Sequence, residues 1–319
     1  MVEQGGMNSE AGTILALTLS PGVGNVTINR LTSWADAAGR SLSELMHLPK
    51  RDLLEMVPAD LHPGADALSK CAEHYVDRAS TMIERVEKAG GQALVGTDED
   101  FPEGLKASLE TAAPPLLFVV GNIGLIEAEA AGIVGTRSPC EEGVRLAEQC
   151  AQVFSERGVP VISGGAEGVD TAAHCAALDA GGTTVVVLAQ GLLSYRGPKE
   201  LLDAVEEGRA LLISQFSPDA PWSTHGALTR NATIAALSRL VCVIEPGRTG
   251  GSVRTARHAL EQGKNVMAYT RPEDEGVMRQ LERLGARRLL GEDGRFSRAR
   301  VVEAWEAQGR SRARQSEMF

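Results

Sequence analysis

Two short glycine-rich stretches bring together the residue types that could hold a phosphate. Gly135-Thr136-Arg137 follows the apolar pair Ile133-Val134, and Ser163-Gly164-Gly165-Ala166-Glu167-Gly168 follows the apolar run 159–162. Glycines let a backbone approach a ligand closely, and a helix N-terminus presents N–H groups with no intrahelical partner to an anion. Arg137 adds a fixed positive charge. A third stretch, Glu245-Pro246-Gly247-Arg248-Thr249-Gly250-Gly251-Ser252, has the same character. The glycine spacing of a dinucleotide fingerprint is absent, as is a Gly-Lys-Ser/Thr phosphate loop. The expected ligand is therefore phosphate-like but neither NAD nor ATP, and no cofactor or metal is expected.

These loops need a scaffold that puts them on one edge. The intervals between them supply it. Residues 141–157 repeat apolar positions at Val144, Leu146, Ala147, Val153 and Phe154, which suits an amphipathic helix. Beyond His174 the alternation continues: strand 183–188, helix 198–206, strand 210–213, loop 217–228, helix 229–237 and strand 240–244. Helix 252–262, strand 265–268, helix 275–284 and a short strand at 288–290 complete it. Strands alternating with helices of this length mean a parallel, doubly wound sheet, whose strand-end loops share one rim. The loop 190–196 is expected on that rim too, and Arg230 is placed at the start of a helix after a long loop.

The N-terminal part reads differently. Residues 1–11 are expected to be disordered. The run 13–35 reads as two short helices joined at Pro21-Gly22-Val23-Gly24, resembling a helix-hairpin-helix or simply a compact bundle, and 41–48 and 50–57 continue it, with Pro49 and Pro58 as stops. One long helix is expected over 65–89, then a short strand at 93–95 and another within 113–122. The organisation is thus a small helical domain over 12–62, a connecting helix and edge segment over 63–112, an α/β domain over 113–291 and an Arg-rich tail over 292–319.

Composition bounds the function. The 43% hydrophobic content and a mean hydropathy of -0.09 leave material for a core in a globular chain. No apolar run reaches the roughly 20 residues of a membrane span, and MVEQGGMNSE lacks a signal-peptide pattern, so a cytoplasmic protein without membrane contact is expected. Five scattered cysteines without a C-x-x-C read as idle thiols. A net charge of -10 opposes indiscriminate nucleic-acid binding, though from Arg271 onward eleven arginines face nine acidic residues, read as a solvated surface. Aromatic residues make up 4%, so any stacking platform must be sparse.

No catalytic constellation emerges, and the chain reads as a non-enzyme. His174 is expected to pack or cap, Asp170 to favour a helix dipole, and Glu245 either to orient Arg230 or to face solvent. Cys175 cannot pair with His174 by adjacency alone, since consecutive helical residues point about 100° apart.

Taken in order, DFPEGL, PPLLFVVGN, IVGTRSP, ISGGAEGVDTAAH, TTVVVLAQG, LTRNATIAALS, VCVIEPGRTGGSVRTARHALEQGKNVMAY and EGVMRQLERLGARRL resemble the DNA-processing protein A family, also called DprA or Smf. The resemblance spans nearly the whole chain. It implies an extended Rossmann-like fold with a small N-terminal helical domain, binding of single-stranded DNA, delivery of that DNA to a RecA-type recombinase during transformation, and a homodimer. The positions that match its pocket are Gly135, Arg137, Ser163, Gly164, Gly165, Gly168, Arg230, Asn231, Gly251, Ser252 and Thr255. The chain departs from the pattern at Arg196, Ala232 and Gly250, and with about 30 residues after the last strand no winged helix is expected. Two other readings stand beside it: a nucleotide sensor or hydrolase of the same superfamily, and a phage-defence or antitoxin-associated relative that acts by binding a partner.

Overall fold

A computed structural model describes residues 9–71, 73–248 and 250–316, and the expected disorder at the N-terminus falls mostly outside them. The chain forms two compact units. One holds the residues up to Val120 together with Gln190–Tyr195 and Ser214–Pro221; the other holds Gly121–Ala189, Arg196–Ile213 and the rest from Trp222 onward.

In the first unit, α1 (Glu10–Leu19) starts on Ser9, whose hydroxyl accepts from the Gly12 N–H, and α2 (Asn25–Ala37) follows a turn in which Gly22 takes φ +82°. The hairpin read from the sequence is there. α3 (Leu42–Leu45) opens with a capping box between Ser41 and Glu44, and α4 (Lys50–Met56) begins after Pro49. The long helix expected over 65–89 is instead two, α5 (His62–Ser69) and α6 (Glu73–Lys88). The Ser69 hydroxyl donates to the Asp66 carbonyl near the break, a side-chain bond that competes with helix continuation. β1 (Gly91–Val95), α7 (Glu103–Leu109) and β2 (Leu116–Gly121) close the unit, and β1 pairs antiparallel with β2.

The second unit is built on a parallel sheet. Its elements are β3 (Ala130–Gly135), α8 (Glu141–Ser155), β4 (Val161–Gly164), α9 (Val169–Asp179), β5 (Thr184–Val187), α10 (Lys199–Glu206) and β6 (Ala210–Ser214). They are followed by α11 (Thr224–Leu237), β7 (Ser238–Ile244), α12 (Gly251–Glu261), β8 (Asn265–Tyr269), α13 (Glu275–Arg283), β9 (Arg287–Arg288) and α14 (Arg298–Ser316). The strands lie in the order β6-β5-β4-β3-β7-β8-β9, every neighbouring pair parallel. The Rossmann-like expectation holds for this unit. The winding runs outward from β3 in one direction through β4, β5 and β6, then reverses through β7. That reversal lies between β3 and β7, the place where open α/β sheets form a ligand crevice at their carboxyl edge.

Burial on both faces explains why these strands read as unbroken apolar runs: β5 and β6 are buried at every position. The Arg-rich C-terminal segment is no solvated surface where α14 begins. Val301, Ala304 and Trp305 are buried in the same core as Phe154, whose ring centroid lies 5.4 Å from that of Trp305. The guanidinium carbon of Arg239 on β7 lies over the Trp305 ring, 4.4 Å from its centroid. Amphipathic spacing within a charged sequence hid this contact. Among the described residues no helix is long and apolar enough to cross a membrane.

Candidate functional site

The carboxyl ends of β3 and β7 meet so closely that glycine is obligatory there. A Cβ at Gly135 would stand 2.2 Å from the Ile244 carbonyl oxygen and 2.6 Å from Val169 Cγ2. Gly168, the N-cap of α9, takes φ +85°, and its Cβ would lie 2.5 Å from the Thr136 carbonyl oxygen. The Val169 N–H donates to that same oxygen at 3.1 Å. The glycine-rich loop after β4 thus supports the turn that presents Arg137.

Beside that turn opens a cavity of about 470 Å³. Of the residues expected at the site, Gly135, Arg137, Arg230, Asn231, Gly251, Ser252 and Thr255 line it. Ser163, Gly164, Gly165 and Gly168 do not. The Ser163 hydroxyl is buried and donates to the Ile133 carbonyl, tying β4 to β3. Gly165 is exposed, and Gly164 is packed beneath a guanidinium. Their part is in the walls rather than the lining. The loop Gln190–Tyr195, expected on this rim, groups with the other unit and is absent from the lining.

Arg137 and Arg230 are unlike each other. Arg137 is exposed, and its guanidinium carbon lies 5.1 Å from the ring centroid of Trp222. Trp222, 48% exposed, lines the cavity and was passed over in the sequence. A lone tryptophan between Pro221 and a helix-capping Ser223 was the only signal. Arg230 is buried, with Nη1 donating to the Val187 carbonyl. It lies inside α11 rather than at its start, because that helix begins at Thr224, where the Ser223 hydroxyl accepts from the Gly226 N–H. The polar run WSTHG disguised the first turn as loop. Arg230 shares its surroundings with Asp170, whose carboxyl is raised above its ordinary pKa by burial and drawn back by the Arg230 charge.

The far wall is the first turn of α12. Asn231 Nδ2 donates to the Gly251 carbonyl at 3.0 Å, and Thr255 Oγ1 donates to the same oxygen at 3.3 Å. A Cβ at Gly251 would sit 2.9 Å from Asn231 Nδ2, so the glycine admits this clamp. Among the described residues no side chain caps α12, whose N-cap is Gly250, and the positive end of its dipole borders the cavity at Gly251 and Ser252. Of the glycine-rich loop ahead of it, Thr249 lies outside the described residues.

Two acid–base candidates are committed elsewhere. His174 is buried between Thr184 Oγ1, 2.6 Å from Nδ1, and the Gly164 carbonyl, 2.9 Å from Nε2. Burial pushes its pKa down to about 4, which keeps the ring neutral, so Nε2–H donates to Gly164. Glu245 neither orients Arg230 nor faces solvent. It is buried, and its carboxylate accepts from Arg271 and from Cys140.

The family model for DNA recombination-mediator protein A matches residues 92–298. A DNA processing protein of Mycobacterium tuberculosis is 35% identical over 214 residues, covering 63% of this chain and 55% of the relative. Protein Smf of Escherichia coli is 36% identical over 183 residues, covering 56% and 48%. The chain spans about half the length of these curated relatives. Among solved structures, DNA processing protein A from Streptococcus pneumoniae superposes with a TM-score of 0.66 at 25% identity, covering 87% of this chain and 93% of that one.

Proposed function

This chain belongs to the DNA recombination-mediator protein A family, and from that premise we propose that it binds single-stranded DNA at the Arg137 cavity and passes it to a RecA-type recombinase. The observation that carries the reading is the pairing of Arg137 with Trp222 on the rim. A half-exposed indole offers a base a stacking face without regard to sequence, and the neighbouring guanidinium meets the phosphate of the same strand. The first turn of α12 supplies a second, uncharged anion site a few residues further along the wall. Arg230 acts through the wall, fixing β4 and β5 beneath the cavity. A protein of net charge -10 that binds through so local a patch depends on fitting one strand rather than on a general basic surface.

The role is that of a binder. His174 uses both ring nitrogens internally, which fits that reading. Self-association and the recombinase contact rest on family membership alone.

Titration with an oligothymidylate, its duplex with oligoadenylate, and mononucleotides as competitors, across a salt series, tests the reading. The expected order is single strand well ahead of duplex, with binding weakened by salt. Tight mononucleotide binding that excludes the oligonucleotide would turn the assignment to a nucleotide sensor. Light scattering tests the dimer: a monomer mass at micromolar concentration rejects it.

A further inference from the structure

Glu245 occupies a place that is costly for a carboxylate. Its side chain is 3% exposed, and its backbone takes φ +48°, in the left-handed region that favours glycine. Helix α8 makes room for it: a Cβ at Gly143 would lie 2.5 Å from Glu245 Oε1. Four donor groups from two residues converge on the carboxylate. Arg271 gives Nε at 2.8 Å and Nη2 at 2.6 Å to Oε2, the Cys140 N–H reaches Oε2 at 3.1 Å, and Cys140 Sγ lies 2.7 Å from Oε1.

Every one of these bonds bears on the turn 136–140. The Thr136 N–H donates to the carbonyl of Ile244, the residue before Glu245, at 3.2 Å. Arg271 Nη2, held by Glu245, also donates to the Ser138 carbonyl at 3.1 Å. Cys140 is bound to Glu245 directly. Arg137 therefore stands between fixed points on both sides, and the turn has little freedom except in the Arg137 side chain. The charge arrangement matters as well. Glu245 is matched by Arg271, and among the described residues no carboxylate pairs with Arg137, which meets the Trp222 ring instead.

We propose that Glu245 is the positioning residue of the anion site, fixing the 136–140 turn through Cys140 and Arg271 so that Arg137 stands over Trp222 with its charge directed at the ligand. The choice of ligand rests on the single-stranded DNA reading; the positioning does not. Three tryptophans label the protein for fluorine NMR with 5-fluorotryptophan, and loss of one signal in Trp222→Phe assigns it. Glu245→Gln keeps the size and an acceptor for Cys140 but removes the charge that holds Arg271. The expected result is that Glu245→Gln moves the Trp222 signal in the direction that Arg137→Ala moves it, leaving the other two in place. Oligothymidylate binding should weaken about tenfold, with no further loss when Glu245→Gln is added to Arg137→Ala. Arg271→Gln, which leaves the buried carboxylate in place, should reproduce the shift. An unmoved Trp222 signal, or losses that add in the double variant, would overturn the proposal, as would loss of the fold in both Glu245→Gln and Arg271→Gln. Wild-type protein that ignores oligothymidylate while its Trp222 signal still answers to Glu245→Gln would reject the DNA reading and keep the positioning role.

Discussion

Gly164 lies directly under the guanidinium of Arg230, and a Cβ there would stand 1.7 Å from Nη1. The two residues come from different elements, the last residue of β4 and the middle of α11, and the missing side chain of one is the seat of the other. Arg230 reaches across Gly164 to the Val187 carbonyl at the end of β5. Gly164→Ala should therefore unseat Arg230 and destabilise the protein by about 3 kcal/mol, as overpacking and a displaced buried charge combine. Urea unfolding measures this, and an unchanged midpoint would mean that the arginine can move aside.

Arg137 and Arg230 should separate in one experiment. Arg137→Ala is expected to leave stability within about 0.5 kcal/mol of wild type, as exposed substitutions do. It should flatten the log–log salt slope of single-strand binding by about 0.7, the contribution of one phosphate contact. Arg230→Ala should instead lower the unfolding midpoint, because it strips a buried donor from Val187 and a neutralising charge from Asp170. Equal salt slopes for Arg137→Ala and wild type would place the phosphate elsewhere.

Trp222→Ala should cost single-strand binding on the order of 1–3 kcal/mol with the salt slope unchanged, since stacking releases no counterions. Oligothymidylate and oligocytidylate should lose affinity together. A salt slope that falls with Trp222→Ala would show that the indole acts only by holding Arg137.

His174 sets a pH dependence. Its pKa falls from 6.5 in the unfolded chain to about 4 in the fold, through burial first and the Arg230 charge second. Between those values the unfolded state binds a proton that the folded state does not, so stability rises with pH there. It is fully present above about 6.5 and is lost as pH falls toward 4, by roughly 3 kcal/mol in total. Unfolding curves of wild type and His174→Gln across that window should converge as pH drops; parallel curves would assign the acid lability to other groups.

Lys264 is buried, with Nζ donating to the carbonyls of Ala235, at 2.6 Å, and Ala236 in the last turn of α11. Lys264→Met keeps the aliphatic stem and removes the cation. A loss of about 2 kcal/mol in thermal or urea unfolding is expected, the range for hydrogen bonds to a charged group. No loss would mean that water serves those carbonyls as well.

The sequence alone determined the strand–helix alternation, because each buried parallel strand must be a short apolar run and each covering helix must repeat with the helical period. It also put the loops after β3 and β7 on one edge, since parallel connections bring strand-end loops to one side. Gly135, Arg137, Gly251 and Ser252, which line the cavity, were legible for that reason, while Asn231 and Thr255 came only from the family resemblance. What only the tertiary structure decided is which polar groups face outward. Ser163 and Gly164 carry the right chemistry for a phosphate loop, yet packing turns the first onto Ile133 and lays Arg230 over the second. Trp222 lies outside any periodic pattern, so only the start of α11 at Thr224 shows it standing beside Arg137. Glu245 and Arg271 are separated in sequence by the whole of α12 and β8, and Cys140 by more than a hundred residues. Their meeting depends on β3 and β7 lying side by side, and strand order is a property of long-range packing that local sequence pattern does not encode.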